Sequence, residues 1–456
     1  TDYCNFILQR ADKKITTSLK NINYKIFLAL LLLGLIPTIY TTLRVFWLGQ
    51  LPGEYSYSIA GQLSWINLFF EIANEAIILP LFFFIGKVIN DKKELTNRVK
   101  TGMLVTFLLY FSVALMIICL VHPLLTWMAV SHDIISESAT YIRIEVIASI
   151  FSTLVSFALV VLTTMKKEKY LYIFMGIKLF LCVVLDTFLV STLPISANLG
   201  INGIGYSNII SNVLLLFGTI IILNKEDIKI FNRDKLSFSW IKDFFRIGGI
   251  SGAESFVRNF AYMVMISKMV NIVSEQGTYW VANNFIWGWL LLPIIQLAEL
   301  IKRDAARDEK AVKNNSLGYF TVTTAVVGLW IVSIPLWKPF MGNILRVGDA
   351  DKVCNLVLIL LGFYVLYAYQ NVFDAIFYGL GKTNYMLFES VVTNTIYYGI
   401  AFMLYKTGVW IPSLTGIALM FGIGMAFDAV VSLGAYIFLL KKNKTNILKV
   451  EKVPVE

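Results

Sequence analysis

The chain has 456 residues, of which 57% are hydrophobic and 15% charged, with a formal net charge of +10, and its mean hydropathy is +0.72. That balance is too apolar for a soluble domain to hide and excludes a water-soluble fold. Apolar runs of twenty residues or more match a hydrocarbon core of ~30 Å at ~1.5 Å per helical residue, so lipid is the expected solvent.

Taken in order, residues 1–24 read as a basic cytoplasmic arm carrying Arg10, Lys13, Lys14 and Lys20, without the apolar core and cleavage site of a signal peptide. Charge clusters and Gly/Pro turns then divide the chain into twelve expected spans: 25–49, 62–88, 101–122, 138–165, 170–192, 201–223, 243–271, 278–301, 316–337, 353–379, 384–405 and 412–440. The expected fold is all-α and polytopic: twelve transmembrane helices in two pseudo-symmetric six-helix lobes around a central cavity. The lobes are 25–223 and 241–440, joined by a cytoplasmic linker 224–240 and followed by a cytoplasmic tail 441–456.

Lys and Arg collect in the arm, in alternate loops and in the tail, while the opposite loops carry only Lys268, Lys338, Arg346, Lys352 and Lys406. By the positive-inside rule both termini are cytoplasmic, as expected for a plasma (inner) membrane protein. The positive charge is thus a topology signal and an affinity for lipid headgroups, with no nucleic acid implied. Cys4, Cys119, Cys182 and Cys354 show no CxxC spacing, and His122 and His132 read as loop polarity, so neither disulfide nor metal is expected.

The segment Tyr57-Ser-Ile-Ala-Gly-Gln-Leu-Ser-Trp65 recurs as Tyr279-Trp-Val-Ala-Asn-Asn-Phe-Ile-Trp287, and Asn202-Gly-Ile-Gly205 echoes Thr415-Gly-Ile-Ala418. The six-span unit is therefore read as duplicated, and such parallel repeats frame one cavity and rock about it. Gly379-Leu-Gly-Lys-Thr383 fails as a phosphate loop because Ile376 stands where its first glycine belongs. With no hydrolase motif either, no enzymatic activity and no cofactor are expected, beyond Na⁺ or H⁺ as a coupling ion.

Three stretches carry a family resemblance: Val184-Leu-Asp-Thr-Phe-Leu-Val190 with Leu199-Gly-Ile-Asn-Gly-Ile-Gly-Tyr-Ser-Asn208; Asn371-Val-Phe-Asp-Ala-Ile-Phe-Tyr-Gly-Leu-Gly-Lys-Thr383; and Asp243-Phe-Phe-Arg-Ile-Gly248. In span order and duplication the chain resembles the multidrug and toxic compound extrusion (MATE) family of the MOP flippase superfamily. The resemblance implies secondary active multidrug or metabolite efflux by alternating access, as an antiporter exchanging Na⁺ or H⁺. The partners expected are a small amphiphilic or anionic substrate and membrane lipids, and the expected state is a monomer. The alternatives are a flippase for a lipid-linked or anionic cargo, and a non-transporting receptor or scaffold.

Ionisable side chains inside the bilayer are expensive and mark candidate sites. Lys178, Cys182 and Asp186 repeat every four residues on one face of span five. The resemblance makes Asp186 a cation-site aspartate and Asn208 its polar neighbour, but puts Arg44 where the family keeps an acid in span one, and Arg258 where some branches keep one in span seven. Arg44 is expected to face Asp186, and Arg258 to pair with Glu254 one turn before it. Glu71 and Glu75, grouped with Asn74 on span two, are either a displaced coupling site or the partners of a base such as Arg44. Asn283, Asn284, Trp287 and Trp289 of span eight are the expected substrate contacts, the indoles by stacking on a flat ligand. Trp65, Trp280 and Trp410, near expected interfaces, are read as belt anchors or packing.

Overall fold

The computed structural model describes residues 13–51, 55–231 and 235–447. Cys4 and Arg10, residues 232–234 of the linker and the tail from 448 lie outside them. Besides a helical segment over 13–20, the described residues form twelve helical rods and no strand. Helices satisfy their own backbone hydrogen bonds, which lipid cannot do for them. The first six rods are α1 (Tyr24–Leu48), α2 (Ser56–Gly86), α3 (Lys92–Trp127), α4 (His132–Thr164), α5 (Lys169–Leu189) and α6 (Asn202–Lys225).

Four of the remaining six contain a π-helical turn. α7 runs Ile241–Tyr262, Met263–Ser267 and Lys268–Ile272; α8 runs Gln276–Phe285, Ile286–Leu290 and Leu292–Arg307. α9 is Lys310–Pro339 with Phe340–Ile344, α10 is Ala350–Gly379, α11 runs Thr383–Val392, Thr393–Tyr397 and Tyr398–Lys406, and α12 is Leu414–Lys442. α8 bends by 52° between Leu290 and Leu292, where Pro293 removes a backbone donor.

The chain is an integral membrane protein: among the described residues nine rods are long and apolar enough to cross a bilayer, or ten with the bent α8. The other two, α2 and α7, carry Glu71, Glu75, Glu254 and Arg258. Residues on the outside of the rods stay apolar, as Leu108, Phe180, Phe217, Val332 and Val430 show by their exposure. Lipid-facing and core-facing sides are therefore equally greasy, and polarity reports on function more than on burial.

By internal contacts the chain forms two compact units, 39–281 and 1–38 with 282–456. The first has a core built around Leu48, Trp65, Ile77, Tyr110, Phe157 and Phe244. The second has a core of Leu30, Leu297, Ile301, Tyr319, Phe377 and Tyr436. The boundaries therefore fall inside α1, one residue past Pro37 and Thr38, and inside α8, while the linear halves meet in the linker. In the second unit, the start of α1 is fastened by the Thr38 hydroxyl, which donates to the Gly288 carbonyl at 2.9 Å.

The two repeat copies sit in the first turns of α2 and α8. Of the two readings for Trp65, packing holds: it is fully buried, and its indole N–H donates to Gln62 Oε1 at 2.8 Å. An indole is a large apolar body with a single donor, so a buried amide acceptor holds it in the core.

Candidate transport site

The polar centre of the 39–281 unit is assembled from four helices. α5 places Lys178, Cys182 and Asp186 one turn apart, and Asp186 is completely buried. α6 enters through Gly203 and Gly205, where a Cβ would stand 2.6 Å from the Leu189 carbonyl oxygen and 2.6 Å from Ile144 of α4. Only glycine permits that approach, and it brings Asn208 of α6 against α4.

Arg44 of α1 fills the space between them. Its Nε donates to Asp186 Oδ2 at 2.8 Å, and its Nη2 donates to Asp186 Oδ1 at 3.4 Å and to Asn208 Oδ1 at 2.8 Å. The same nitrogen lies 3.8 Å from Cys182 Sγ. The guanidinium also stands over the Tyr40 ring, 5.4 Å from its centre, a favourable cation–π position. The expected Arg44–Asp186 pairing is thus present as a two-pronged fork, with Asn208 as a third partner.

The chain of contacts continues to a residue the sequence reading passed over. Asn208 Nδ2 donates to both carboxylate oxygens of Glu145, at 2.9 and 3.0 Å, and Tyr141 also bonds Glu145. An amide between a cation and an anion has one satisfiable orientation, oxygen to the guanidinium and nitrogen to the carboxylate. Glu145 lies inside the expected span 138–165, where its charge drew no notice. The helix begins six residues earlier than expected, at His132, which places Glu145 four turns in and only 5% exposed.

Arg44, Glu145 and Asn208 line a cavity of about 280 Å³, together with Tyr40, Ser64, Asn67 and Lys178. Asp186 and Glu145 are already engaged by Arg44 and Asn208. Lys178, by contrast, forms no ion pair or hydrogen bond among the described residues. The lining therefore presents one uncommitted charge, and it is positive.

A second charged group joins α2 to α7. Gly248 and Gly252 bring α7 onto α2 so closely that a Cβ on Gly248 would lie 1.9 Å from the Ala76 carbonyl oxygen. Arg258 then reaches Glu75 at 2.6 Å, and Glu71 and Glu254 at 3.6 Å each. The expected Glu254 contact exists, but Glu75 holds the arginine more tightly, and the base that Glu71 and Glu75 meet is Arg258, with Arg44 committed to Asp186. Asn74 is exposed and does not join them.

The α8 candidates fall in the other compact unit, from Ala282 onward. Trp287 packs edge-on to Tyr367 at 5.8 Å and Trp289 edge-on to Phe340 at 5.5 Å. Being two residues apart on a helical turn, the indoles point to different sides, so they form no common stacking platform. Asn283 and Asn284 are half-buried beside them. None of the four lines the Arg44 cavity.

The sequence matches no protein-family model and no curated protein. Solved structures do match. A multidrug resistance MATE transporter of the MOP superfamily in an inward-facing conformation aligns with a TM-score of 0.68 and 16% identity, covering 94% of this chain and 99% of that one. The fold is that of the MATE transporters. An outward-facing MATE structure aligns over 95% of this chain and 99% of that one at 16% identity, with a TM-score of 0.63. A MOP superfamily transporter from Pyrococcus furiosus, described as having a binding pocket of reverse polarity that suggests a different function, aligns with a TM-score of 0.64 at 17% identity, covering 95% and 99%. The MATE fold thus spans the chain nearly end to end and is known facing both ways.

Proposed function

We propose that this protein is a secondary transporter that works by alternating access and exports a small amphiphilic molecule carrying an acidic group. The observation that carries the reading is Arg44. Where the resemblance expects an acid to take a free cation, a tethered guanidinium lies between Asp186 and Asn208 at 2.8 Å from each. A charge fixed there leaves Asp186 no vacancy for Na⁺.

The cargo class follows from Lys178, the uncommitted cation of the cavity lining. An ammonium without a carboxylate partner favours an anion and repels the cations that ordinary drug exporters carry. The pocket of reverse polarity attributed to the Pyrococcus furiosus relative makes a functional departure of this kind plausible within the fold. A cavity of about 280 Å³ lies at the small end of the range for ligand pockets, ~300–1,000 Å³. A metabolite-sized head fits better than a whole lipid-linked oligosaccharide, which favours the soluble anion over the flippase reading. The distribution of Lys and Arg supports cytoplasmic termini in a plasma (inner) membrane, and the polar centre is complete within one chain, in keeping with a working monomer.

The test is flux from proteoliposomes loaded with an anionic or a cationic fluorescent amphiphile of one scaffold. The anion should be released and the cation retained. Release of the cation alone, or of neither, would overturn the reading.

A further inference from the structure

Two basic pockets lie outside the transport chemistry, one in each compact unit. In the 39–281 unit a cavity of about 410 Å³ opens between the start of α3 and the linker, lined by Lys92, Lys93, Lys100, Lys229 and Lys235. Three acids line it as well, and all three are engaged within the protein. Asp91 Oδ1 accepts from the backbone N–H groups of Lys93 and Glu94 at 3.1 Å each, Glu94 Oε1 accepts from Arg98 at 2.9 Å, and Asp227 Oδ2 accepts from Lys92 at 2.9 Å. The Lys93 and Lys235 ammonium groups form no ion pair or hydrogen bond among the described residues, and Lys229 adds only its field to the Asp227 that Lys92 already holds.

The pocket is built into the fold. Lys100 is only 8% exposed, and the linker that walls the cavity is pinned to α3. Asn97 Nδ2 donates to the Ser237 carbonyl at 2.9 Å and Asn97 Oδ1 accepts from the Ser237 N–H at 2.8 Å, while the Trp240 indole donates to Thr101 at 3.0 Å.

The duplication supplies the second pocket. α9 and α12 are the third and sixth rods of the second repeat, as α3 and α6 are of the first. Between the start of α9 and the end of α12 lies a cavity of about 610 Å³, lined by Lys310, Lys313, Lys382 and Lys444 against one acid, Glu309. The ammonium groups of Lys310, Lys382 and Lys444 form no ion pair or hydrogen bond among the described residues. α6 and α12 also end in the same turn. Asp227 and Lys444 are left-handed, with φ of 67° and 51°, and the N–H of the next residue reaches back five positions, Ile228 to Leu223 and Thr445 to Leu440, at 2.9 Å each. In both copies this helix closure borders the basic pocket. A charge bias that only set topology would need lysines on one side of the membrane, not a cavity at the same place in each repeat.

Uncommitted ammonium groups beside a helix N-terminus attract an anion, and phosphate is a ligand that lysine binds as a point charge. The apolar surroundings identify its source. Phe231, Leu236 and Phe238 of the linker are 79%, 44% and 46% exposed, and Val312, Leu380 and Leu440 line the second pocket. A soluble phosphate would leave these side chains in water, whereas a phospholipid covers them with its glycerol backbone and upper acyl chains. We infer that each pocket binds the headgroup of an anionic phospholipid, held by Lys93, Lys229 and Lys235 in one unit and by Lys310, Lys382 and Lys444 in the other. In the first pocket the shared phosphate adds a bridge between α3 and the linker. None of these lysines lines the Arg44 cavity, so the inference is separate from the cargo reading.

Native mass spectrometry of the full-length protein, titrated in detergent with dioleoylphosphatidylglycerol or dioleoylphosphatidylcholine, counts the sites. The wild type should bind two molecules of the anionic lipid tightly and the zwitterionic lipid weakly. A lysine near a lipid surface contributes about fivefold in affinity, so replacing all three lysines of one pocket by glutamine should weaken that site about a hundredfold and leave the other intact. The surviving site shows that each triple variant is folded, and arginine at the same three positions should keep the lost one. Lys166→Gln, Lys169→Gln and Lys242→Gln together remove three basic charges outside both pockets and should leave both sites. Equal binding of the two lipids, two tight sites retained in both pocket variants, or an equal loss in the Lys166, Lys169 and Lys242 variant would overturn the inference. Glycerol phosphate or inorganic phosphate competing as tightly as the lipid would overturn it too, by making the ligand a soluble phosphate.

Discussion

Replacing Arg44 by methionine removes the cation paired with a fully buried Asp186 and strips Asn208 Oδ1 of its donor. The side chain is 11% exposed and Asp186 0%, so little water can enter to compensate. Breaking one half of a buried pair of this kind costs about 3–5 kcal/mol, because the remaining charge is left uncompensated. Arg44→Lys keeps the charge but loses the fork, since one ammonium cannot reproduce the planar bonds to Asp186 and Asn208 together; about 1.5–3 kcal/mol is expected. The double variant Arg44→Met with Asp186→Leu removes both charges and should recover most of the loss. Unfolding of the reconstituted proteins, compared as a double-mutant cycle, gives the coupling energy. A cost below about 1 kcal/mol for Arg44→Met, or a double variant no more stable than that single one, would refute a paired, desolvated guanidinium.

Gly248→Ala forces a Cβ to within 1.9 Å of the Ala76 carbonyl oxygen, whereas one on Gly249 meets nothing within 4 Å. Thermal unfolding should show Gly248→Ala destabilised by about 1–3 kcal/mol or more through overpacking, with Gly249→Ala near wild type. Pro37→Ala restores a backbone donor near the point where α1 passes from one compact unit to the other; it should impair flux of the anionic probe more than membrane insertion, and equal loss of both would contradict that. In the linker, a hydrogen bond from Lys167 and a second from Tyr170 hold the Glu226 carboxylate below its usual range. A lowered carboxylate stabilises the fold above its unfolded pKa and ceases to as pH falls through the lowered value. Amide exchange around 226–231 should therefore be unaffected near neutrality, after correction for intrinsic rates, and lose protection only in acid.

The helical membrane fold was legible because lipid imposes it: long apolar runs, basic loops on one side and a repeated six-span pattern leave few alternatives. Arg44 opposite Asp186 was legible because the family resemblance sets Arg44 at the acid position of span one and Asp186 at a cation site, while the four-residue spacing put Lys178, Cys182 and Asp186 on one face. Glu145 was not: it lies inside the expected span 138–165, but nothing in the spacing names its partners, and only the packing of Gly203 and Gly205 brings α6 to it. The partner of Glu71 and Glu75 was hidden for a similar reason. Helix contacts set by Gly248 and Ala76 are long-range in sequence, and a charge carries no label naming its counter-ion. The compact units differ from the linear halves because α1 and α8 each pack partly with one set of helices and partly with the other.

The claim that the cavity selects an acidic group turns on Lys178, and equilibrium binding tests it most directly. A matched pair of anionic and cationic amphiphiles would be titrated into the wild type and into Lys178→Glu. An uncommitted charge about 4 Å from a ligand charge is worth up to about 4 kcal/mol at an effective dielectric of ~20, so a preference of at least tenfold for the anion is expected in the wild type. In Lys178→Glu that preference should reverse. A wild type that prefers the cation, or a variant with unchanged preference, would contradict the account.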